Sequence, residues 1–289
     1  MANGAINIIW EKTMSKLHFL KSVTDTINTS FIVESNGTLL VVDGGFASEE
    51  PYLYEYIKSL GGHVTAWFLT HFHDDHISCF VAMLNKHPDI LIDAVYYQFP
   101  PDEYLTHWEP RQGKRTTEEL LQGFREAIVQ SGVPVVTSKE GNVYAFDGGN
   151  VTVRVLRTYN VALNPINNSS TVYRFETDGK SILFLGDLEP DGGKELLQKV
   201  DHSLLHADYV QMAHHGQGGV EKEVYEVIKP TYCLWPTPSW LWDNMGSRGY
   251  DTGSYKTLIV RGWISSLRCV KKHYRMTDGT QVIDLVNHE

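Results

Sequence analysis

Cysteine is scarce in this chain of 289 residues: Cys79, Cys233 and Cys269 are odd in number and far apart. A disulfide framework needs an even, organised set, so the expectation is a reduced cytoplasmic protein stabilised by its packed core. Long apolar runs are missing as well. No stretch reaches the roughly 18 apolar residues of a membrane-spanning helix. From Met1 to Leu20, Glu11 and Lys12 interrupt short apolar pieces, and the apolar centre of a secretion signal is lacking. Neither export nor membrane insertion is expected. Positive charge is in deficit, with 25 Lys and Arg against 35 Asp and Glu for a net charge of −10. That balance favours solubility and disfavours unspecific nucleic-acid binding. It does not bar a phosphorylated substrate, because a bound metal ion dominates the field at its own site. Neither repeats nor low-complexity linkers interrupt the chain, and a hydrophobic content of 42% over this length supports a large core, as one layered unit or as two fused halves.

Histidine is concentrated where it matters. The segment Thr70-His71-Phe72-His73-Asp74-Asp75-His76 follows directly on the apolar run Ala66-Trp67-Phe68-Leu69. In an extended stretch residues i and i+2 point the same way, so His71 and His73 can share one ion as the chain leaves a strand. Asp75 and His76 diverge unless the chain turns into the helix predicted over Ile77 to Asn85, which would swing both toward a second ion. Imidazoles with a carboxylate suit zinc or a similar divalent metal, and dinuclear sites of this kind hydrolyse esters, amides and phosphoesters.

Other segments can be placed around this motif. Ser30 to Val33 and Thr38 to Val42 read as strands about a turn at Ser35-Asn36-Gly37, the second ending in Asp43-Gly44-Gly45. Tyr52 to Leu60 is a predicted helix stopped by Gly61-Gly62, and His63 reads as structural. Ser181 to Leu185 is an apolar strand ending in Gly186-Asp187-Leu188-Glu189, and Ala207 to Ala213 is another ending in His214-His215-Gly216. Ligands gather at such strand ends in layered α/β folds. Asp187 could bridge two ions with its two oxygens, or serve as a turn residue ahead of a helix over Gly192 to Val200. On an extended chain His214 and His215 diverge, so one of them is expected to bind metal. Val270 to Tyr274 and Gln281 to Val286 read as a terminal hairpin around Asp278-Gly279.

The HxHxDH pattern after a strand, behind a hairpin ending in DGG, resembles the metallo-β-lactamase superfamily. That resemblance implies an α/β fold, a four-layer αββα sandwich with the metals at one edge of the sheets. GDLE followed by AHHG is similar to the branch holding the hydrolase domain of DNA-uptake channel proteins and the bacterial phosphorylcholine esterases. The likeness runs from about Phe31 to Pro236, within an expected single domain over 1–289. It implies a first ion on His71, His73 and Asp187 and a second on Asp75, His76, His215 and Asp187. Asp43 would orient a metal-bound His or act as a plain turn residue. His214 would face the substrate, with Glu189 close by. Asp75, His214 and Glu189 form the implied catalytic group, working with a metal-bridging hydroxide. Two Zn2+ ions are implied, with Mn2+ or Fe as alternatives; iron-type relatives carry a carboxylate in the place of His73.

One departure from the pattern bears on substrate. Many superfamily hydrolases place another His between the two halves, and none stands between Val151 and Asp187, where Asn167-Asn168-Ser169-Ser170 occurs instead. An open metal position favours an anionic oxygen, so a small phosphodiester or phosphomonoester is the expected substrate, ahead of a lactone or thioester and ahead of a non-enzymatic sensing or binding module. Asn168 is a candidate donor to that substrate. The insert from Phe99 to Gly132, with a helix over Thr117 to Gln130, follows the strand Ala94 to Tyr97, where the superfamily sets loops over its metals. Tyr104, His107 and Trp108 could therefore shape a pocket or pack on the fold. The loop Pro236 to Asn244 offers Trp240 and Trp242 as a cation-binding wall, worth about 2 kcal/mol when desolvated, or as a packed lid.

Overall fold

The computed structural model describes residues 14–164 and 166–286. The reading of Met1 to Thr13 lies outside the described residues. Strands of the first half are β1 (Lys16–Phe19), β2 (Ser30–Ser35), β3 (Thr38–Asp43), β4 (Ala66–Phe68), β5 (Val95–Tyr97) and β6 (Val135–Thr137). The second half adds β7 (Val143–Phe146), β8 (Val151–Arg157), β9 (Val172–Thr177), β10 (Lys180–Phe184), β11 (Tyr209–Gln211), β12 (Tyr232–Trp235), β13 (Lys272–Arg275) and β14 (Gln281–Asp284). Two seven-stranded sheets result, in the orders β6-β5-β4-β3-β2-β1-β14 and β7-β8-β9-β10-β11-β12-β13. The helices are α1 (Glu50–Ser59), α2 (Asp74–Lys86), α3 (Asp102–Trp108), α4 (Thr117–Ser131), α5 (Pro190–Lys199), α6 (His202–Leu205), α7 (Lys222–Ile228), α8 (Ser239–Trp242) and α9 (Thr257–Ser266).

Alternation within the strands makes the layers. Phe31 and Val33 of β2, with Leu40 and Val42 of β3, enter a core shared with Val153, Phe175, Ile182 and Phe184 of the facing sheet. Their neighbours Ile32, Leu39 and Val41 point the other way, into a core with Leu53 and Ile57 of α1, Phe80 and Met83 of α2, and Leu120 and Phe124 of α4. Beyond the second sheet, Leu183, Val210 and Cys233 meet Leu196 of α5, Val224 and Ile228 of α7, and Val260 and Ile264 of α9. A strand buried on both faces reads as a continuous apolar run, which is why β3 and β10 were visible in the sequence. This is the αββα sandwich.

Both sheets change from antiparallel to parallel pairing along their width. β3, β4 and β5 run parallel in one, and β10 through β13 in the other. Parallel strands place their C-terminal ends on a common edge, and Asp43, the Thr70–His76 motif, Asp187 and the His214-His215 pair all lie at such ends. Two expectations need correction. α2 begins at Asp74, three residues before the predicted start, and β13 and β14 are not a hairpin. β13 pairs with β12 in the second sheet while β14 pairs antiparallel with β1 in the first. Turn chemistry at Asp278-Gly279 is compatible with either connection, so local sequence could not separate them. No helix among the described residues is long and apolar enough to cross a membrane.

Phe68 stands at the centre of the shared layer, fully buried, with the rings of Tyr96, Tyr144, Phe146, Tyr173 and Phe175 within 6.4 Å of its own. Phe68→Ala should lower unfolding free energy by about 3–5 kcal/mol, read from urea denaturation. A loss below about 1 kcal/mol would show that the layer collapses around the change.

Candidate metal centre

Asp43 ends β3 in a left-handed conformation (φ 53°) that turns its carboxylate under the motif. Oδ1 accepts from the Thr70 backbone N–H at 2.8 Å, and Oδ2 accepts from Thr70 Oγ1 at 2.8 Å and from His76 Nδ1 at 2.7 Å. With its Nδ1–H held there, His76 presents a bare Nε2 to the centre. Thr70 Oγ1, its proton given to Asp43, can accept from His71 Nδ1 at 3.1 Å. His71 therefore also presents Nε2. One carboxylate thus sets the orientation of two imidazoles.

Past β4 the chain bends at His71 and Phe72 and is extended at His73 (φ −110°, ψ 150°), so the expected straight exit is not seen; His71 and His73 nonetheless converge, with Nε2 and Nδ1 2.9 Å apart. The chain then enters α2. Asp75 and His76 consequently occupy its first turn and swing inward, both buried. In the second half, Gly186 (φ +57°) allows the tight exit from β10; a Cβ there would lie 3.0 Å or less from Ser170 and Thr70 side chains. Asp187 follows, its N–H donated to Ser170 Oγ at 3.0 Å. His214 and His215 do not sit on an extended chain. Each adopts a left-handed conformation (φ 52° and 53°) in a short turn, and that turn separates their directions. His215 is buried, with Nδ1 3.2 Å from the Pro236 carbonyl and Nε2 3.0 Å from Asp75 Oδ2 and 3.2 Å from Asp187 Oδ2.

The donors form two groups, each with its ligand atoms within 4.8 Å of one another: Asp75, His76, Asp187 and His215, and His71, His73 and Asp187. Asp187 belongs to both. His76 Nε2 lies 3.2 Å from Asp187 Oδ1 and His215 Nε2 3.2 Å from Asp187 Oδ2, yet buried His76 Nε2, His215 Nε2 and Asp187 Oδ1 have no aligned hydrogen bond, an arrangement that a cation meeting all three would satisfy. The electrostatics agree. Burial alone would lower the His215 imidazole, but the Asp187 and Asp75 carboxylates override it and push it up to about 9. His76 is likewise raised well above the ordinary value, against burial, by Asp187, Asp43 and Asp75. Burial and the neighbouring imidazoles hold His71 well below it. Asp187 is well below the usual carboxylate range, against burial, because of His215 and His76. The donor set fits divalent ions.

His214 stands beside this cluster and is partly accessible, with Nε2 3.8 Å from Asp187 Oδ2 and Nδ1 3.4 Å from Glu189 Oε1. Asn167 Nδ2 donates to Glu189 Oε1 at 2.9 Å and lies 3.4 Å from His214 Nε2. Burial opposes ionisation of Glu189, but its contacts with His214 and Asn167 bring it below the usual range. A cleft of about 420 Å³ opens here, bordered by Glu189, His214, Gln217, Glu221, Tyr255 and Trp263.

Several expected substrate contacts are occupied elsewhere. Asn168 accepts from the backbone N–H of Glu189 and of Gly192 and donates to the Asn164 carbonyl; it caps α5, and its neighbour Asn167 reaches the site. Tyr104 is buried in the core on the α2 side and its hydroxyl donates to the Leu163 carbonyl. Trp108 is 44% exposed and packs on His107 and Tyr104. Trp240 donates Nε1 to the Asp25 carbonyl. Trp242 already has the Arg261 and Arg275 guanidinium groups near its ring, at 4.1 and 5.2 Å from its centroid, so its cation-binding surface is taken from within the chain. His63 pairs with Asp93 on the surface. Unforeseen contributors are Thr70, Asn167, Glu109 and Gln112; of these, Thr70 alone carried a sequence signal, as the first residue of the motif.

A family model described as the metallo-beta-lactamase superfamily matches residues 23–215, and the chain belongs to that superfamily. Among curated proteins it is similar to ComE operon protein 3 of Bacillus subtilis, 27% identical over 193 residues; the match takes in 65% of this chain and 22% of that protein, so the chain spans well under half of the relative's length. Among solved structures, the metallo-beta-lactamase fold protein YhfI of Bacillus subtilis superposes with a TM-score of 0.56 at 11% identity, over 93% of this chain and 98% of YhfI. CmlA, a diiron beta-hydroxylase from Streptomyces venezuelae, gives 0.52 at 12% identity, over 94% of this chain and 54% of CmlA. The fold is that of a metallohydrolase family, with a His/Asp cluster suited to metal.

A pH dependence follows. Because His215 is raised to about 9, its proton is bound below that pH and must leave when metal arrives. Zinc affinity should therefore rise with pH between 7 and 9, by about tenfold per unit for each proton displaced. Calorimetry in buffers of differing ionisation enthalpy should record at least one proton released; none released would remove the imidazoles from the ligand set.

Proposed function

We propose that this protein is a dinuclear metal-dependent hydrolase acting on a phosphodiester or phosphomonoester. The observation behind this reading is the inequality of the two donor groups, four side chains in one and three in the other, with the Asn167 amide and the His214 imidazole beside the shared Asp187. A three-donor site leaves room for an anionic oxygen, and hydrogen-bond donors next to it suit a phosphoryl group. Two divalent ions, zinc or else manganese or iron, would be held by these groups and would supply Lewis acidity and a water of lowered pKa. Nitrogen and oxygen donors without thiolate are compatible with all three metals, and a diiron protein shares the fold.

The chain's own residues then have distinct tasks. Asp187 and Asp75 hold charge at the centre, and Asp43 keeps His76 and His71 turned toward it. Glu189 accepts from His214 Nδ1, and in the doubly protonated ring Nε2–H would donate to a phosphoryl oxygen or protonate the leaving group. Asn167 fixes Glu189 with one hydrogen of its amide and offers the other beside His214. The cleft with Tyr255 and Trp263 accommodates the leaving group. Asn168 stabilises the start of α5 and takes no part.

His215→Ala and Asp187→Ala should lose metal and activity together, whereas His214→Ala should keep its metal and lose rate by about 10²–10⁴. The reverse pattern in metal analysis would exchange the roles of His214 and His215. Against a substrate panel, bis-aryl phosphodiesters or aryl phosphomonoesters should be turned over faster than lactones of similar size, with inorganic phosphate as a competitive inhibitor. Rapid lactone or thioester cleavage without phosphate inhibition would replace the phosphoester with those substrates. Metal retention with no turnover of any of them would leave a binding or sensing module.

A further inference from the structure

Among the side chains by which the insert between Phe99 and Gly132 contacts the HxHxDH motif, which include Arg115 on Asp74 and the Phe99 and Phe124 rings on Phe72, Glu109 and Gln112 are the two that flank His73. Glu109 Oε2 lies 2.6 Å from His73 Nε2, the ring nitrogen turned away from His71, so that Nδ1 is the atom offered to the His71, His73 and Asp187 group. Burial would lower the His73 imidazole, but Glu109 outweighs it and raises the group. Gln112 is buried and reaches both flanks of His73: its Oε1 accepts the Asp74 N–H at 2.8 Å and its Nε2 donates to the Phe72 carbonyl at 3.0 Å. The Asp74 contact has a local cause. His73 stands at the N-cap position of α2 and makes no side-chain cap, because its ring is directed to the centre, and the free N–H of the first turn takes its acceptor from the insert.

We infer that Glu109 is a positioning residue for His73 and that Glu109 and Gln112 together latch the insert to the three-donor site, so that metal binding there and ordering of residues 102–116 are one coupled equilibrium. This rests on the reading above that His71, His73 and Asp187 hold a cation. The latch is held at its own base: the Glu109 carbonyl accepts the Thr117 hydroxyl, and the Thr117 N–H bonds to the Pro110 carbonyl at 3.0 Å, tying Glu109 to the start of α4. A carboxylate on the remote nitrogen of a ligating imidazole fixes ring orientation and raises ligand basicity, and its loss typically costs about 10–100-fold in metal affinity. Linkage makes the effect reciprocal, so whatever frees the insert weakens the site and whatever fills the site quiets the insert.

The test uses the whole chain and Zn2+ alone, with stoichiometry and affinity from competition against a chromophoric chelator and hydrogen exchange across residues 102–116. Wild type should bind two equivalents, the weaker one bringing protection of the 102–116 amides. Glu109→Ala should weaken that equivalent by about 10–100-fold, leave the tighter one unchanged and lose the added protection. Glu109→Gln, which keeps an acceptor for the His73 N–H without the charge, should recover most of the affinity, an outcome that loss of a merely structural contact would not give. Gln112→Ala should weaken the same equivalent; if that variant fails to fold, the Glu109 pair decides alone. Two equivalents bound by Glu109→Ala with wild-type affinity and wild-type protection would overturn the latch. Wild type binding no second equivalent would instead remove the three-donor site beneath it.

Discussion

The Asp43 carboxylate is the contact on which the centre depends. It accepts three hydrogen bonds, two from Thr70 and one from His76, and through the Thr70 hydroxyl it sets the tautomer of His71 as well. The motif loop is thereby pinned to the end of β3, and Trp67 Nε1 adds a bond to the Asp43 carbonyl at 2.8 Å. A buried carboxylate is stable only with such donors around it. Aligned protein donors meet Asp43, while His76 Nε2, His215 Nε2 and Asp187 Oδ1 face one another without aligned hydrogen bonds, and this contrast separates the group that supports the site from the groups that would bind an ion.

The half that lacks the additional histidine is no less constrained. Arg157, buried, donates from Nε to Glu195 Oε2 at 2.9 Å and from Nη1 to the Ser170 carbonyl at 3.1 Å. Glu195 belongs to α5 and Ser170 to the turn that carries Asn167. Ser170 Oγ receives the Asp187 N–H while Asn168 caps α5, so one buried ion pair fixes the turn, the helix and Asp187 together. Such pairs add less to stability than to the choice of one arrangement. The Asn-Ser segment is a strut rather than a loose substitute for a ligand.

How much of this was legible in the sequence varies with the range of the interaction. The ligand groups could be read because metal chemistry demands short spacings, such as His71 to His73, and strand ends, such as Asp187 after β10. The sandwich came from the family resemblance that the HxHxDH, GDLE and AHHG motifs carry, and the apolar runs marked only individual strands. Glu109 could not, since its partner lies 36 positions away and a lone Glu in a polar insert has no signature. Asn167 and Asn168 are equivalent in composition; the register of a short helical turn decides which faces the site. Trp242 and Tyr104 were plausible pocket residues by type, but large rings are most often consumed by packing. The early start of α2 escaped notice because Asp74 and Asp75 look like loop residues until the helix's need for acidic groups in its first turn is weighed.

The pairing of β14 with β1 joins the last described strand to the first, with Lys16 opposite Asp284 and Phe19 opposite Gln281. A chain emerging from the ribosome makes β1 early and β14 late. Through the interval in which the whole second sheet is synthesised, the outer backbone edge of β1 stays open. An open strand edge is a template for any other strand that meets it, so the time between those two segments is a window in which nascent copies can pair wrongly. The pace of synthesis between the two segments, and cover of Leu17 and Phe19 until β14 pairs, would therefore bear on the yield of folded protein.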